Sequence, residues 1–200
     1  MLDRIVEFTG MLLGLLYLFL EYKADKRMWI VGIIMPMISV WVYFNAGLYA
    51  DFAIAIYYFL AAVYGYWVWT RSKRALASET VSVSGSDSKA EPCLPITHVP
   101  AMTLFVSLGI TGVLWVAIYF VLVTFTNSTV PVCDAFTTAL SITGMYLLAQ
   151  KYVEQWVVWL IVDAVSVGLY FYKGIYFYSC LNVVYTVVAV MGYFKWLKHT

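Results

Sequence analysis

The chain has 200 residues, 64% of them hydrophobic and only 12% charged. A soluble domain is about half apolar and a quarter charged, so lipid must be the solvent for much of this fold. The net charge of +1 offers no footprint for nucleic acid, and three widely spaced cysteines (Cys93, Cys133, Cys180) give neither a disulfide framework nor a metal-ligand spacing.

Backbone polar groups cannot stay bare in hydrocarbon, so spanning segments must be helices or a closed barrel. The apolar runs are long and lack strict alternation, which selects helices. Seven are predicted: Ile5–Tyr22, Met28–Asn45, Tyr49–Thr70, Ala101–Phe125, Phe136–Ala149, Val153–Tyr172 and Tyr176–Leu197. No small-residue cleavage site follows the first, so it reads as a retained span. The fifth is short and carries Thr137, Thr138, Ser141 and Thr143, which predicts an earlier start or a face turned to protein. Between the third and fourth, Arg71 to Pro100 is rich in Ser, Gly and Pro and reads as a flexible cytoplasmic linker.

Residues 156–196 align with residues 29–69 at a constant offset of 127. Without gaps, 15 of the 41 positions are identical, including Trp29/Trp156, Ser39/Ser166, Tyr43/Tyr170, Gly47/Gly174, Tyr58/Tyr185, Gly65/Gly192 and Trp69/Trp196. Apolar composition alone does not keep Gly, Ser and Trp in register, so the match implies an internal duplication. The expected fold is an all-α integral membrane protein of seven transmembrane helices. Two parallel three-helix repeats are joined by a linker helix (3+1+3). The expected boundaries are 1–70, a linker at 71–100, the linker helix at 101–126, and 127–200. An odd repeat followed by one extra crossing gives both repeats the same orientation. Ten lysines and arginines fall on one side of this layout, and only Arg4 and Lys173 on the other. The positive-inside bias then puts the N-terminus outside and the C-terminus in the cytoplasm.

Asp163 is the sharpest chemical feature. It lies seven residues past Trp156, about 10 Å along a helix. At that depth a carboxylate costs several kcal/mol unless it is paired or faces a wet cavity, and no Lys or Arg lies at a similar depth in any span. Its repeat mate is Pro36, which lacks an N–H and kinks a helix. Trp156 and Trp159 form a WxxW pair one turn apart, with Asp163 four residues beyond Trp159. An aromatic cage with an acidic floor suits a flat organic cation. Asn182 and Tyr185, three apart on the next helix, are candidates to bind the polar part of a ligand, with interhelical glue the alternative for Asn182. Tyr58, the mate of Tyr185, and Tyr119 on the linker helix are weaker candidates. Trp115 lies four residues before Tyr119, and the two face either a pore or lipid. Asp51 reads as an interfacial or turn residue. Glu154 and Gln155 read as a solvated helix start or a gate, and His98 and His199 as solvated. No nucleophile–base pair, zinc motif, phosphate loop or dinucleotide fingerprint occurs, so neither an enzyme nor a cofactor is expected.

Lys151-Tyr-Val-Glu-Gln-Trp-Val-Val-Trp159, Val165-Ser166, Tyr172-Lys-Gly-Ile-Tyr176, Tyr185 and Gly192 through Trp196 resemble the C-terminal half of the PnuC family of vitamin transporters. Tyr64-Gly-Tyr-Trp-Val-Trp69 resembles the end of that family's third helix. The resemblance implies a 3+1+3 layout related to the SWEET sugar transporters and a homotrimer. It further implies facilitated diffusion of nicotinamide riboside across the bacterial inner membrane, with a cytoplasmic kinase trapping the vitamin. Some relatives carry thiamine. Both vitamins hold a flat cationic ring, so both remain open as substrates. The expected carrier rocks one bundle against the other around a midplane site. Trp156 and Trp159 stack on the ring, Asp163 attracts it, and Asn182 and Tyr185 orient the polar part.

Overall fold

The computed structural model describes residues 2–45, 49–81, 94–126 and 128–200. They form seven α-helices: α1 (Leu2–Tyr22), α2 (Arg27–Asn45), α3 (Tyr49–Val81), α4 (Ala101–Phe125), α5 (Pro131–Ala149), α6 (Gln155–Tyr172) and α7 (Tyr176–Leu197). α4 and α7 match the predicted bounds. α5 begins five residues earlier than predicted, with Pro131 at its first turn, where a missing N–H costs nothing. α3 runs on to Val81, so the first part of the expected linker is helical. The serine-rich remainder, with Ser82, Ser84, Ser86 and Ser88, lies outside the described residues, as do Gly47 and the side chain of Asp51. Five helices have apolar spans of 18 residues or more, long enough to cross a bilayer; α1 and α2 contribute described apolar stretches of Met11–Tyr22 and Arg27–Trp41. The protein is a multi-pass membrane protein.

The chain divides into two compact units, Met1–Leu94 and Pro95–Thr200. In the first, α2 packs on α1 and on α3. In the second, α4 packs on α5, α5 on α6 and α6 on α7. α5 is the core of this unit. Ala135, Ala139, Ser141, Thr143, Gly144 and Ala149 are buried on it, and small side chains let neighbouring backbones approach. α4 is built inside out. Phe105, Val113 and Phe125 are more than 70% exposed, while its buried residues are Ser107 and Thr111. An apolar exposed face of this kind suits a membrane span. The Thr111 hydroxyl meets that of Thr143 on α5 at 2.5 Å, and Ser107 Oγ donates back to the Thr103 carbonyl.

Two turns are made alike, 127 residues apart. After α1, Ala24 takes φ +53°, its N–H donates to the Glu21 carbonyl and that of Asp25 to Leu20. After α5, Lys151 takes φ +57°, its N–H donates to Leu148 and that of Tyr152 to Leu147. Both are left-handed helix caps that satisfy the last carbonyls. The α6–α7 turn uses the same device with Gly174 at φ +73° and Ile175 N–H donating to Tyr170.

The segment before α4 is pinned to the α5–α6 turn. Thr97 pairs with Tyr152 in a parallel bridge: its N–H donates to Lys151 and its carbonyl accepts from Val153. His98 Nδ1 lies 2.8 Å from Glu154 Oε1, and the Val99 N–H donates to Glu154 Oε2. His98 is exposed, as expected, and is joined there to Glu154, whose side chain is 27% exposed at the start of α6. A carboxylate at a helix start satisfies amides that have no partner inside the helix, here one from a neighbouring segment.

Candidate functional site

The tryptophans that mark the repeat are structural locks. Trp156 is 1% exposed and meets Trp196 edge to face, with centroids 5.6 Å apart and planes at 88°. Gly192 on α7 lets the ring lie against backbone, since a Cβ there would stand 2.6 Å from Trp156 Cε2. In the first unit Trp29 meets Trp69 at 5.6 Å and 86°, over Gly65, where a Cβ would come closer still. Trp156, predicted to stack on a bound cation, is here buried against Gly192 and Trp196. An edge-to-face pair adds about 0.5–1.5 kcal/mol beyond its area burial, so each lock closes its helical hairpin.

A second aromatic contact occurs inside each unit, with its two sides swapped. In the first, Tyr17 of α1 lies over Gly32 of α2, where a Cβ would meet Tyr17 Cε2 at 3.1 Å. In the second, Trp159 of α6 lies over Gly144 of α5, where a Cβ would meet the indole at 3.3 Å. Residues 17 and 144, and 32 and 159, are repeat mates. The large residue has moved from one helix to the other at the same crossing.

At Trp159, and at the α6 positions one turn to either side of it, the repeats differ in chemical character. Gln155, Trp159 and Asp163 stand four residues apart, on one helix face about 40° from one to the next. Their mates in α2 are Met28, Gly32 and Pro36. Asp163 is 8% exposed and has neither a hydrogen bond nor an ion pair among the described residues. Tyr185 of α7 lies within electrostatic range of it. Gln155 is 0% exposed, and both its Oε1 and Nε2 are unpartnered among the described residues. Trp159 Nε1 is likewise buried without an acceptor. An unsatisfied buried amide costs about 1–3 kcal/mol, and a buried carboxylate more. Packing accounts for the Trp159 ring, but not for the polar groups of Gln155 and Asp163, because the first unit builds its hairpin with Met28 and Pro36 at those places.

Of the other candidates, Asn182 is half-buried and donates Nδ2 to the Tyr178 carbonyl of its own helix at 2.8 Å. Tyr58 belongs to the first unit, in ring contact with Tyr57 at 5.4 Å and within electrostatic range of Tyr17. Tyr119 on α4 edges onto Phe120. Trp115 donates Nε1 to the Val132 carbonyl at 3.0 Å and packs on Phe136, so it fastens α4 to the start of α5. The second unit therefore places Trp159 and Asp163 one turn apart on α6, with Tyr185 of α7 within electrostatic range of Asp163.

Three residues stand out in the structure beyond the sequence reading. Gln155, read from the sequence as a solvated helix start or a gate, is fully buried; its place one turn before Trp159 and its apolar mate Met28 are the available signal. Glu21, 3% exposed, lies within electrostatic range of Tyr17 at the end of α1. Asp134 accepts from Lys173 Nζ at 2.8 and 2.9 Å and from Ser128 Oγ at 2.6 Å, tying the start of α5 to the end of α6. Among the described residues, no group of three or more His, Cys, Asp or Glu is placed to hold a metal ion.

The family model described as nicotinamide mononucleotide transporter matches residues 4–198, nearly the whole chain. The chain belongs to this family. Among curated members, the nicotinamide riboside transporters PnuC of Escherichia coli (strain K12) and Shigella flexneri are each 24% identical to it over 205 residues, covering 96% of this chain and 85% of theirs. The crystal structure of the vitamin B3 transporter PnuC superposes with a TM-score of 0.67 at 19% identity, covering 95% of this chain and 81% of that one. At that identity the superposition establishes a shared PnuC fold. Family membership makes the protein a transporter, and among the described residues the α6 stripe carries polar groups without partners at Gln155, Trp159 and Asp163.

Proposed function

We propose that the protein carries nicotinamide riboside across the bacterial inner membrane by facilitated diffusion. The carrying observation is Asp163: a carboxylate buried in a membrane span, unpaired among the described residues, one turn from Trp159 and within electrostatic range of Tyr185. A permanent organic cation supplies the missing charge, and an indole next to it offers a π face. The riboside and the mononucleotide differ by a phosphate, which adds about −1.5 to −2 charge. Between Lys151 and Lys173 the chain has no Lys or Arg, so the stripe from Gln155 to Asp163 carries a carboxylate and no cation of its own to neutralise a phosphate. This favours the riboside over the mononucleotide.

The matched caps and Trp–Gly locks support two parallel three-helix repeats around linker helix α4. The lysine and arginine bias supports an outside N-terminus and a cytoplasmic C-terminus. The homotrimer and trapping by a cytoplasmic vitamin kinase rest on resemblance to the family.

The test is radiolabelled uptake into proteoliposomes with nicotinamide riboside, the mononucleotide and thiamine offered separately. Saturable riboside uptake without an imposed ion gradient is expected, with little mononucleotide uptake. Thiamine uptake alone would keep a carrier for flat cations and replace the vitamin. No uptake of any of the three would remove the reading.

A further inference from the structure

Gln155 is left over once the packing and the charge of the stripe are accounted for. Its carboxamide is fully buried with both ends unpartnered among the described residues, on the α6 face that also carries Trp159 and Asp163. Packing does not require an amide there. The repeat mate Met28 fills the equivalent place in the first unit, also 0% exposed, with an unbranched apolar side chain of similar length. The neighbouring Trp156 Nε1 is unpartnered too, but so is Trp29 Nε1 in the other lock, so that orphan belongs to the hairpin. Gln155 is the buried amide present in only one repeat.

We propose that Gln155 is the residue that reads the substrate's primary carboxamide. The inference rests on the riboside-carrier reading above. A primary carboxamide offers one carbonyl acceptor and an NH2 donor, and the Gln155 side chain offers the complement of both. Two such groups side by side form a reciprocal pair of hydrogen bonds. A carboxylate in place of the substrate amide leaves the Gln155 oxygen facing another acceptor. Sites built on buried hydrogen bonds discriminate strongly for this reason. Asp163 then selects the charge of the ring and Gln155 its substituent, from two turns of one helix.

The experiment is calorimetric binding to the detergent-purified full chain, wild type and Gln155→Met, with nicotinamide riboside, nicotinic acid riboside and the unsubstituted pyridinium riboside as probes. Gln155→Met copies the residue the fold already accepts at Met28, and a melting temperature equal to or above wild type confirms that it folds. Wild type is expected to prefer the amide over the acid by at least tenfold. Gln155→Met is expected to lose about tenfold or more for the amide, to leave the unsubstituted riboside within about twofold, and to erase the amide–acid preference. An equal loss for all three probes, or no loss, overturns the assignment and leaves the carrier reading standing. If Gln155→Met fails to fold, Gln155→Glu replaces it, and an unchanged amide–acid ratio there overturns the assignment equally. Wild type that binds no riboside at all removes the carrier reading and this inference together.

Discussion

The Trp156 ring lies where a side chain on Gly192 would begin: a Cβ at 192 would fall 2.6 Å from Cε2. An indole is rigid and is backed here by Trp196, so it has no cheap way to give. Gly192→Ala is expected to destabilise the protein by about 1–3 kcal/mol, the range for overpacking. Gly65→Ala should do the same through Trp29. Gly168→Ala is the control, since a Cβ there meets nothing within 4 Å and removing a helical glycine stabilises by about 0.5–1 kcal/mol. Thermal unfolding in detergent checks all three. A Gly192→Ala protein that melts with Gly168→Ala would show that the lock is slack.

Asp163→Asn keeps the shape and removes the charge. Binding of a cationic vitamin should fall by tenfold or more, and binding of an uncharged analogue of the same size should change little. Equal losses for both would remove the electrostatic role. The same variant should melt no lower than wild type, because a buried carboxylate without a partner weakens the fold it sits in.

Lys173 and Asp134 join the end of α6 to the start of α5 with a contact of 2.8 Å, each about three-quarters buried. A double-mutant cycle with Lys173→Met and Asp134→Asn should give a coupling of about 1 kcal/mol. The coupling should shrink as salt is raised toward 1 M, where the screening length is about 3 Å. A coupling near zero at low salt would reduce the pair to a bystander.

Asp25 lies in the turn between α1 and α2, outside the spans. Hydrogen bonds from the Arg27 guanidinium, at 2.7 and 3.0 Å, hold its carboxyl below the ordinary 3.8. A carboxyl lowered on folding contributes stability above its unfolded value and loses it as pH falls through the folded one. Arg27→Gln should therefore raise the Asp25 titration midpoint toward 3.8 in an NMR titration and flatten the loss of stability below pH 4. An unmoved midpoint would show that the contact does not persist in solution. The Arg27 side chain is largely exposed to solvent, so the effect of the pair on stability at neutral pH should be small.

Much of the fold is legible from composition and period. Long apolar runs can only be helices in lipid, and α4 and α7 fall on the residues predicted. The 127-residue offset points to positions whose geometry does recur: the caps at Ala24 and Lys151, the locks of Trp29 with Gly65 and of Trp156 with Gly192. Asp163 stands out in the chain because a carboxylate among apolar residues is costly wherever the helix faces. The roles of individual aromatics are a different matter. Trp156 and Trp159 look alike in sequence, yet one ring lies against its partner glycine and tryptophan while the other sits at a crossing that the first unit fills with Tyr17. Which ring is used for packing depends on what the neighbouring helix brings to the same depth, and a linear pattern does not contain that. Gln155 is the same case. At a helix start a glutamine ordinarily reaches water, and only the packing of the second unit closes over this one and leaves its amide without a partner.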